Sequence, residues 1–187
     1  MAQRKLLLDS CVYLRLAQSV HPLLGEEFGE DNVCLYVIKE FSGEYERSQR
    51  LQTKFPWVTE KEYVDNRNKK ITLSKKQKLQ IPAVVEAFED FAYNNDLVPS
   101  PVDLYALAHA YLAGIELITD DEDLASVALE FKVGVFGSLE LLDLMVKQGR
   151  IDVSDALAAC DYMEYLPDMP RDFYQKRNSL FGTSQRE

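Results

Sequence analysis

The amino-acid sequence predicts an α/β fold, a three-layer sandwich with a central, mostly parallel sheet of four or five strands and helices on both faces. Short apolar runs alternate with helix-like segments along the chain, and parallel strands need this order because each connection crosses the sheet through a helix. Four runs are strand candidates, at residues 5–8, 32–36, 115–119 and 133–136. Their alternation with helices is the main reason to expect a parallel sheet.

The clearest single element is a helix over residues 101–113. Ser100 can cap it, and Pro101 suits the first turn because its missing N–H would have no partner there. Asp103 lies three residues after the cap, where an acid favours the positive end of the helix. Gly114 supplies the left-handed stop, and a short buried strand is expected directly after it.

Periodic apolar residues predict the remaining helices of the sandwich, at residues 11–17, 37–51, 83–94, 120–131 and 138–147. On the helix after the second strand, Glu40, Glu44 and Arg47 share one face. Thr119 is expected to cap the helix that begins at Asp120. These helix starts follow strand ends, so their polar residues collect at one edge of the sheet.

We expect the sandwich to occupy residues 1–151, with a helical C-terminal extension over residues 152–187. Residues 53–99 are predicted to form a basic insertion at the edge of the fold. Its first part, residues 53–80, holds eight Lys or Arg against three acids, a net charge of +5 on a chain of net charge −10. It is either a solvated loop and helix start or a nucleic-acid-binding surface. In the second case the contacts would come from Arg67, Lys69, Lys70, Lys75, Lys76 and Lys78.

Composition excludes several classes of protein. The 187 residues are 47% hydrophobic and 28% charged, as in an ordinary globular domain. No apolar run approaches the roughly 18 residues of a membrane span. The start, MAQRKLLLDSC, lacks the apolar region of a signal peptide. We therefore expect a cytoplasmic protein with no membrane partner.

Cysteine and histidine are too sparse for several kinds of catalysis. Cys11, Cys34 and Cys160 are odd in number and lack CxxC spacing, so a disulfide framework or a zinc site is not expected. The two histidines are His21 and His109, and the second lies inside a predicted helix. Chemistry that depends on an imidazole has little to work with here.

Carboxylates, by contrast, follow the predicted strands. Asp9 ends the first strand and Glu40 opens the helix after the second. Asp121 and Asp123 follow the third strand, and Asp103 opens the helix before it. Each acid alone also fits a helix cap. Together at one sheet edge they would repel each other by about 1 kcal/mol per close pair in water and more when buried. A divalent cation relieves this repulsion, and oxygen ligands without Cys or His favour Mg²⁺ or Mn²⁺ over zinc.

These motifs resemble those of the PIN-domain ribonucleases, which include the VapC-like toxins of type II toxin-antitoxin pairs. The resemblance is carried by LLLDS at residues 6–10, VIKEF at residues 37–41, Asp103 in VDLYALAHA, and TDDED at residues 119–123. The acids occur in the family's order. Each motif alone is common, and their order and spacing together are more specific.

The resemblance implies a role for each residue. It implies catalytic metal ligands at Asp9, Glu40, Asp103 and Asp121. Asp123 would be an additional ligand or a carboxylate just behind the ligands, and Ser10 and Thr119 would orient carboxylates through their hydroxyls. The match covers about residues 5–51 and 100–151. The insertion and the tail depart from the compact toxin pattern, which leaves the substrate open.

By this resemblance the leading hypothesis is a Mg²⁺- or Mn²⁺-dependent endonuclease that hydrolyses RNA. Bound ions would activate a water for in-line attack and stabilise the leaving oxygen, chemistry that needs no histidine. The partners expected are an RNA substrate and, in a toxin, an antitoxin whose basic segment enters the acidic site. We also expect a homodimer.

Two alternatives belong to other classes. The first is a catalytically silent module with the same fold that binds protein or nucleic acid. The second is a phosphatase of the haloacid dehalogenase type acting through Asp9. That chemistry usually has Asp-x-Asp at the strand end, and Cys11 stands where the second Asp would be.

Overall fold

A computed structural model describes residues 3–166 and 169–182 of the chain. Four parallel strands form one sheet in the order β2-β1-β3-β4. They are β1 (Arg4–Leu8), β2 (Val33–Val37), β3 (Glu116–Ile118) and β4 (Val135–Phe136). The predicted α/β sandwich with a parallel sheet is confirmed.

Helices cover both faces of the sheet. They are α1 (Ser10–Leu16), α2 (Glu40–Arg47), α3 (Gln49–Lys54), α4 (Lys61–Arg67), α5 (Lys75–Asn94), α6 (Pro101–Ala113), α7 (Glu122–Glu130), α8 (Ser138–Lys147), α9 (Val153–Glu164) and α10 (Phe173–Phe181). A short 3₁₀ helix, Pro56–Thr59, joins α3 to α4. None of the helices in the described ranges is both long and apolar enough to cross a membrane.

The central strand β1 contributes side chains to both hydrophobic cores. Leu6 and Leu8 pack into the core on the side of α1, α8 and α9, whereas Leu7 packs into the core beneath α5, α6 and α7. This division follows from the two-residue period of a strand, which directs successive side chains to opposite faces. All three leucines are almost fully buried, and each such side chain contributes about 1.5 to 3 kcal/mol by leaving water.

The strand register brings the carboxyl ends of the strands level with one another. Leu8 pairs with Val37 on one side and Ile118 on the other, and Ile118 pairs with Phe136. The residues that follow these strands therefore meet along one edge. Helix α6 runs back across the sheet to reach β3, so its first turn, with Asp103, lies at the same edge.

The predicted helix over residues 37–51 is wrong in its extent. Residue Val37 ends β2, α2 covers Glu40–Arg47, and α3 starts separately after Ser48. Ser48 is extended and its hydroxyl accepts a hydrogen bond from the Leu51 amide. A serine that bonds the backbone in this way begins a new helix with a changed direction.

The predicted cap at Thr119 is also wrong, because Asp121 caps α7 by accepting from the Leu124 amide at 2.8 Å. The Thr119 amide donates to the Phe136 carbonyl, so Thr119 still belongs to the sheet edge. Its hydroxyl is engaged elsewhere, with Asp9.

Helix α5 begins eight residues before the predicted start at residue 83. Ser74 and Gln77 form a capping box that stabilises the earlier start, and Pro82 lies inside the helix. Phe88, fully buried, packs α5 into the core shared with α6 and α7. Part of the segment predicted as an insertion thus contributes to the sandwich.

Candidate carboxylate site

Asp9 is the most buried acid at the carboxyl edge of the sheet, with 2% of its surface exposed. It follows β1 and caps α1, and its Oδ1 accepts from the Val12 amide at 2.6 Å. Its Oδ2 accepts from the Thr119 hydroxyl at 2.5 Å. Asp9 is therefore a helix cap and, at the same time, a carboxylate tied to the end of β3.

Asp103 lies in the first turn of α6 and is 8% exposed. Its Oδ2 accepts from the hydroxyl of Ser100, which caps the helix as predicted. Burial of so polar a group without full compensation is unfavourable. The hydrogen bond from Ser100 at the start of α6 offsets part of this cost and holds Asp103 at the edge of the sheet.

The two buried carboxylates disturb each other. Burial raises the pKa of Asp9 to about 7, and the negative charge of Asp103 adds to the rise. Burial likewise raises the pKa of Asp103 to about 6; the bond from Ser100 opposes the rise, and the charges of Glu44 and Asp121 add to it. Near neutral pH the pair must either keep a proton or be stabilised by a cation.

The carboxylate of α2 that acts on Asp103 is Glu44. Its Oε2 accepts from the Ser10 hydroxyl at 2.6 Å, and its charge raises the pKa of Asp103. The resemblance to PIN domains predicts Glu40 as the metal ligand on α2 and assigns no role to Glu44. The signal was present, because Glu44 lies one helical turn after Glu40 on the same face.

Glu40 opens α2 and lines a neighbouring cleft of about 390 Å³. Its Oε1 lies 3.7 Å from the Lys39 ammonium. Its Oε2 is buried and has no hydrogen-bond partner in the described part of the chain. Lys70, Lys78 and His109 line the same cleft, so two of the predicted nucleic-acid-binding lysines lie near Glu40.

Of the four acids after β3, the three aspartates have different partners. Asp121 caps α7 and its charge raises the pKa of Asp103. Asp123 accepts from the Val98 amide at 2.9 Å and so holds the loop before α6. Asp120 pairs with Arg15 in a buried salt bridge of 2.5 Å.

The other predicted nucleic-acid-binding residues differ in their contacts. Arg67 donates to the Tyr13 hydroxyl at 2.8 Å and to the Val58 carbonyl at 2.7 Å. Lys69 donates to the Gly25 carbonyl at 2.8 Å. Lys75 and Lys76 are exposed at the start of α5. Arg67 therefore joins α4 to the core, whereas Lys75 and Lys76 remain exposed to solvent.

Cys11 is next to Ser10 but is unsuited to nucleophilic chemistry. Although part of the residue is exposed, desolvation of its sulfur and the charges of Asp9 and Asp103 raise its pKa to about 12. The thiol is protonated at neutral pH, and a thiol is a poor nucleophile.

The oxygen donors of the site decide whether a divalent cation could bind there. Within residues 3–166 and 169–182, no three His, Cys, Asp or Glu side chains converge closely enough to hold a metal ion. Mg²⁺, however, usually keeps several waters and is held by one or two carboxylates. Asp9 and Asp103 supply such a pair, since the charge of Asp103 acts on Asp9. Two carboxylates of this kind, with water in the other coordination positions, are donors that suit Mg²⁺ or Mn²⁺.

Comparison of the chain with family models, with curated proteins and with solved structures finds no match. The relation to PIN-domain ribonucleases therefore remains a prediction from the motifs. The fold and the carboxylate geometry are observations on this chain alone.

Proposed function

We propose that this protein is a divalent-metal-dependent endonuclease that hydrolyses phosphodiester bonds in RNA. The observation that carries the proposal is the buried pair Asp9 and Asp103, whose pKa values are raised to about 7 and about 6. Perturbed carboxylates at the carboxyl edge of a parallel sheet are typical of a functional site. A cation would stabilise both carboxylates as anions.

Asp9 and Asp103 would hold the cation, with Mg²⁺ or Mn²⁺ as the ions that suit oxygen ligands. When bound, the ion would activate a water and stabilise charge on the phosphodiester. The chain's own contribution is orientation. The Thr119 hydroxyl donates to the Asp9 carboxylate, and the Ser10 hydroxyl donates to Glu44, whose charge acts on Asp103.

Thr119 also connects Asp9 to Asp121. The same hydroxyl that donates to Asp9 accepts from the Asp121 amide at 3.0 Å. The start of α7 is thereby positioned relative to the end of β1. Such fixed orientation is what catalysis by positioned carboxylates requires.

The test is cleavage of a panel of RNA and single-stranded DNA with Mg²⁺, Mn²⁺ or EDTA. We expect RNA cleavage by the wild type with metal, and loss of cleavage in Asp9→Asn. Asp152→Asn is the matched control, because Asp152 caps α9 as Asp9 caps α1 but is exposed and belongs to another part of the fold. Cleavage that persists in Asp9→Asn, or in EDTA, would contradict the proposal.

A second candidate is a catalytically silent interaction module. The observation that favours it is the lack of convergence of three metal-binding side chains in the described residues. A basic segment of a partner, as an antitoxin would supply, would complement the net charge of −10. A folded protein that binds neither Mn²⁺ nor Mg²⁺ would favour this candidate over the nuclease.

A further inference from the structure

A cleft of about 280 Å³ lies between α1 and α3, beside the α2 acid Glu44. Leu14, Leu51 and Leu166 provide apolar walls, and Arg50 and Lys54 line it from α3. It is distinct from the cleft that contains Glu40, with which it shares none of its lining residues. We name it the α3 cleft.

The α3 cleft has an excess of positive charge. Arg50 and Lys54 are four residues apart on α3, so their side chains lie on one face of the helix. Arg50 is exposed and has no hydrogen bond or ion pair within the described ranges. The ammonium of Lys54 lies 5.1 Å from the centre of the Phe55 ring. No acid neutralises either cation across these ranges, which leaves both available to an anion.

The same cleft adjoins the carboxylate pair. Glu44 lines it and accepts a hydrogen bond at 2.6 Å from the hydroxyl of Ser10, the residue directly after Asp9. Cys11 lines it too and lies two residues after Asp9 at the start of α1. An anion bound between Arg50 and Lys54 would therefore lie next to the site that we propose to cut the phosphodiester.

We propose that the α3 cleft binds the nucleotide adjacent to the scissile phosphate. Arg50 and Lys54 would bind its phosphate, and the walls formed by Leu14 and Leu51 would contact its sugar and base. The volume of about 280 Å³ leaves no room for a base pair of a duplex, so the nucleotide bound here would belong to a single strand. This inference rests on the proposed RNA cleavage, and it assigns phosphate binding to α3 instead of to the lysines at the start of α5.

The experiment measures binding of a short fluorescent single-stranded RNA in EDTA by anisotropy over a series of salt concentrations. All proteins carry Asp9→Asn, so that affinity is measured without cleavage. One carries Arg50→Gln with Lys54→Gln, and its matched control carries Lys75→Gln with Lys76→Gln, a pair that removes the same charge from α5. Thermal unfolding of each protein checks that it is folded.

We expect the α3 pair to weaken binding on the order of tenfold, as two lost ion pairs would. The slope of log affinity against log salt should fall in magnitude by about 0.7, since both cations bind one phosphate and each phosphate contact on a single strand contributes about 0.7. The α5 pair should change both quantities much less. Equal effects of the two pairs, or a larger effect of the α5 pair, would overturn the inference.

Competition by AMP and by inorganic phosphate separates a nucleotide site from a simple anion site. Stronger displacement of the RNA by AMP than by phosphate supports the nucleotide, and equal displacement contradicts it. Binding and cleavage are independent measurements. If Arg50→Gln with Lys54→Gln weakens RNA binding but the wild type cuts no RNA, the α3 cleft is an RNA-binding site and the proposed nuclease activity is rejected. If the wild type cuts RNA but these substitutions leave RNA binding unchanged, the nuclease activity stands and the proposed role of the α3 cleft is rejected.

Discussion

The hydroxyl of Thr119 donates a hydrogen bond to the buried carboxylate of Asp9, and joins the ends of β3 and β1 at the candidate site. The two residues are 110 positions apart in the chain. The bond lowers the pKa of Asp9, in opposition to the effect of burial. Thr119 thus helps to keep Asp9 available as an anion.

Thr119→Val should remove this bond while preserving the shape of the side chain. The Asp9 pKa should rise further, and the free energy of unfolding should fall by about 1 to 3 kcal/mol because a buried acceptor and the Asp121 amide lose their partner. Urea unfolding and an NMR titration of the carboxyls measure the two effects. Thr59→Val, at an exposed threonine, is the control, and equal losses in both variants would refute the role of Thr119.

The stability of the metal-free protein should fall as the pH rises from about 4 to about 7. Asp9 and Asp103 have folded pKa values of about 7 and about 6, above the ordinary value of 3.8. In that window the folded state binds more protons than the unfolded state, and each pKa unit corresponds to roughly 1.4 kcal/mol. Urea unfolding in EDTA across this range tests the sign. Asp9→Asn should reduce the slope, and a slope unchanged by this substitution would exclude Asp9 as its source.

Mn²⁺ or Mg²⁺ should raise the unfolding temperature above pH 7, where both carboxylates are charged. Binding to the folded state alone stabilises it by about 2.7 kcal/mol when the ion is at about 100 times its dissociation constant. The shift should disappear in Asp9→Asn and persist in Asp152→Asn. Differential scanning fluorimetry with and without EDTA provides the measurement. A shift of the same size in all three proteins would indicate metal binding elsewhere.

Glu40→Gln and Glu44→Gln distinguish the two acids of α2. The structure connects Glu44 to Ser10 and Asp103, so Glu44→Gln should lower the Asp103 pKa and weaken Mn²⁺ binding. The resemblance to PIN domains implies the larger effect on metal binding for Glu40→Gln. Calorimetric titration of Mn²⁺ into the two variants decides between the acids. A larger loss in Glu40→Gln would mean that its buried oxygen turns toward the ion.

Arg67→Lys should destabilise the protein although it keeps the charge. A lysine cannot reproduce the two hydrogen bonds to Tyr13 and Val58 together with the contacts of the guanidinium over the Tyr13 and Phe41 rings. The expected loss is about 1 to 3 kcal/mol in urea unfolding. Lys61→Arg on the exposed side of α4 is the control. An unchanged free energy of unfolding in Arg67→Lys would mean that the contacts of Arg67 do not stabilise the fold.

Local signals explain why much of the fold was predictable. The start and end of α6 depend on Ser100, Pro101 and Gly114, which act within one or two turns of the helix itself. The apolar run of β1 needs burial on both faces, and a parallel sheet with helices on both sides provides it. The order of such elements along the chain predicts the parallel sheet. It also predicts that Asp9, Asp103 and Asp121 lie at the carboxyl edge of that sheet.

The sequence by itself determined which carboxylates follow which strands, since that is a matter of order along the chain. Only the tertiary structure decided which side chains interact. It directed Glu44 toward Asp103, Asp123 toward Val98, and Arg67 into the core beside Tyr13. These pairings depend on the break in the chain direction before α3 and on the packing of distant helices. Periodicity fixes the face on which a residue lies, but packing and burial select its partner.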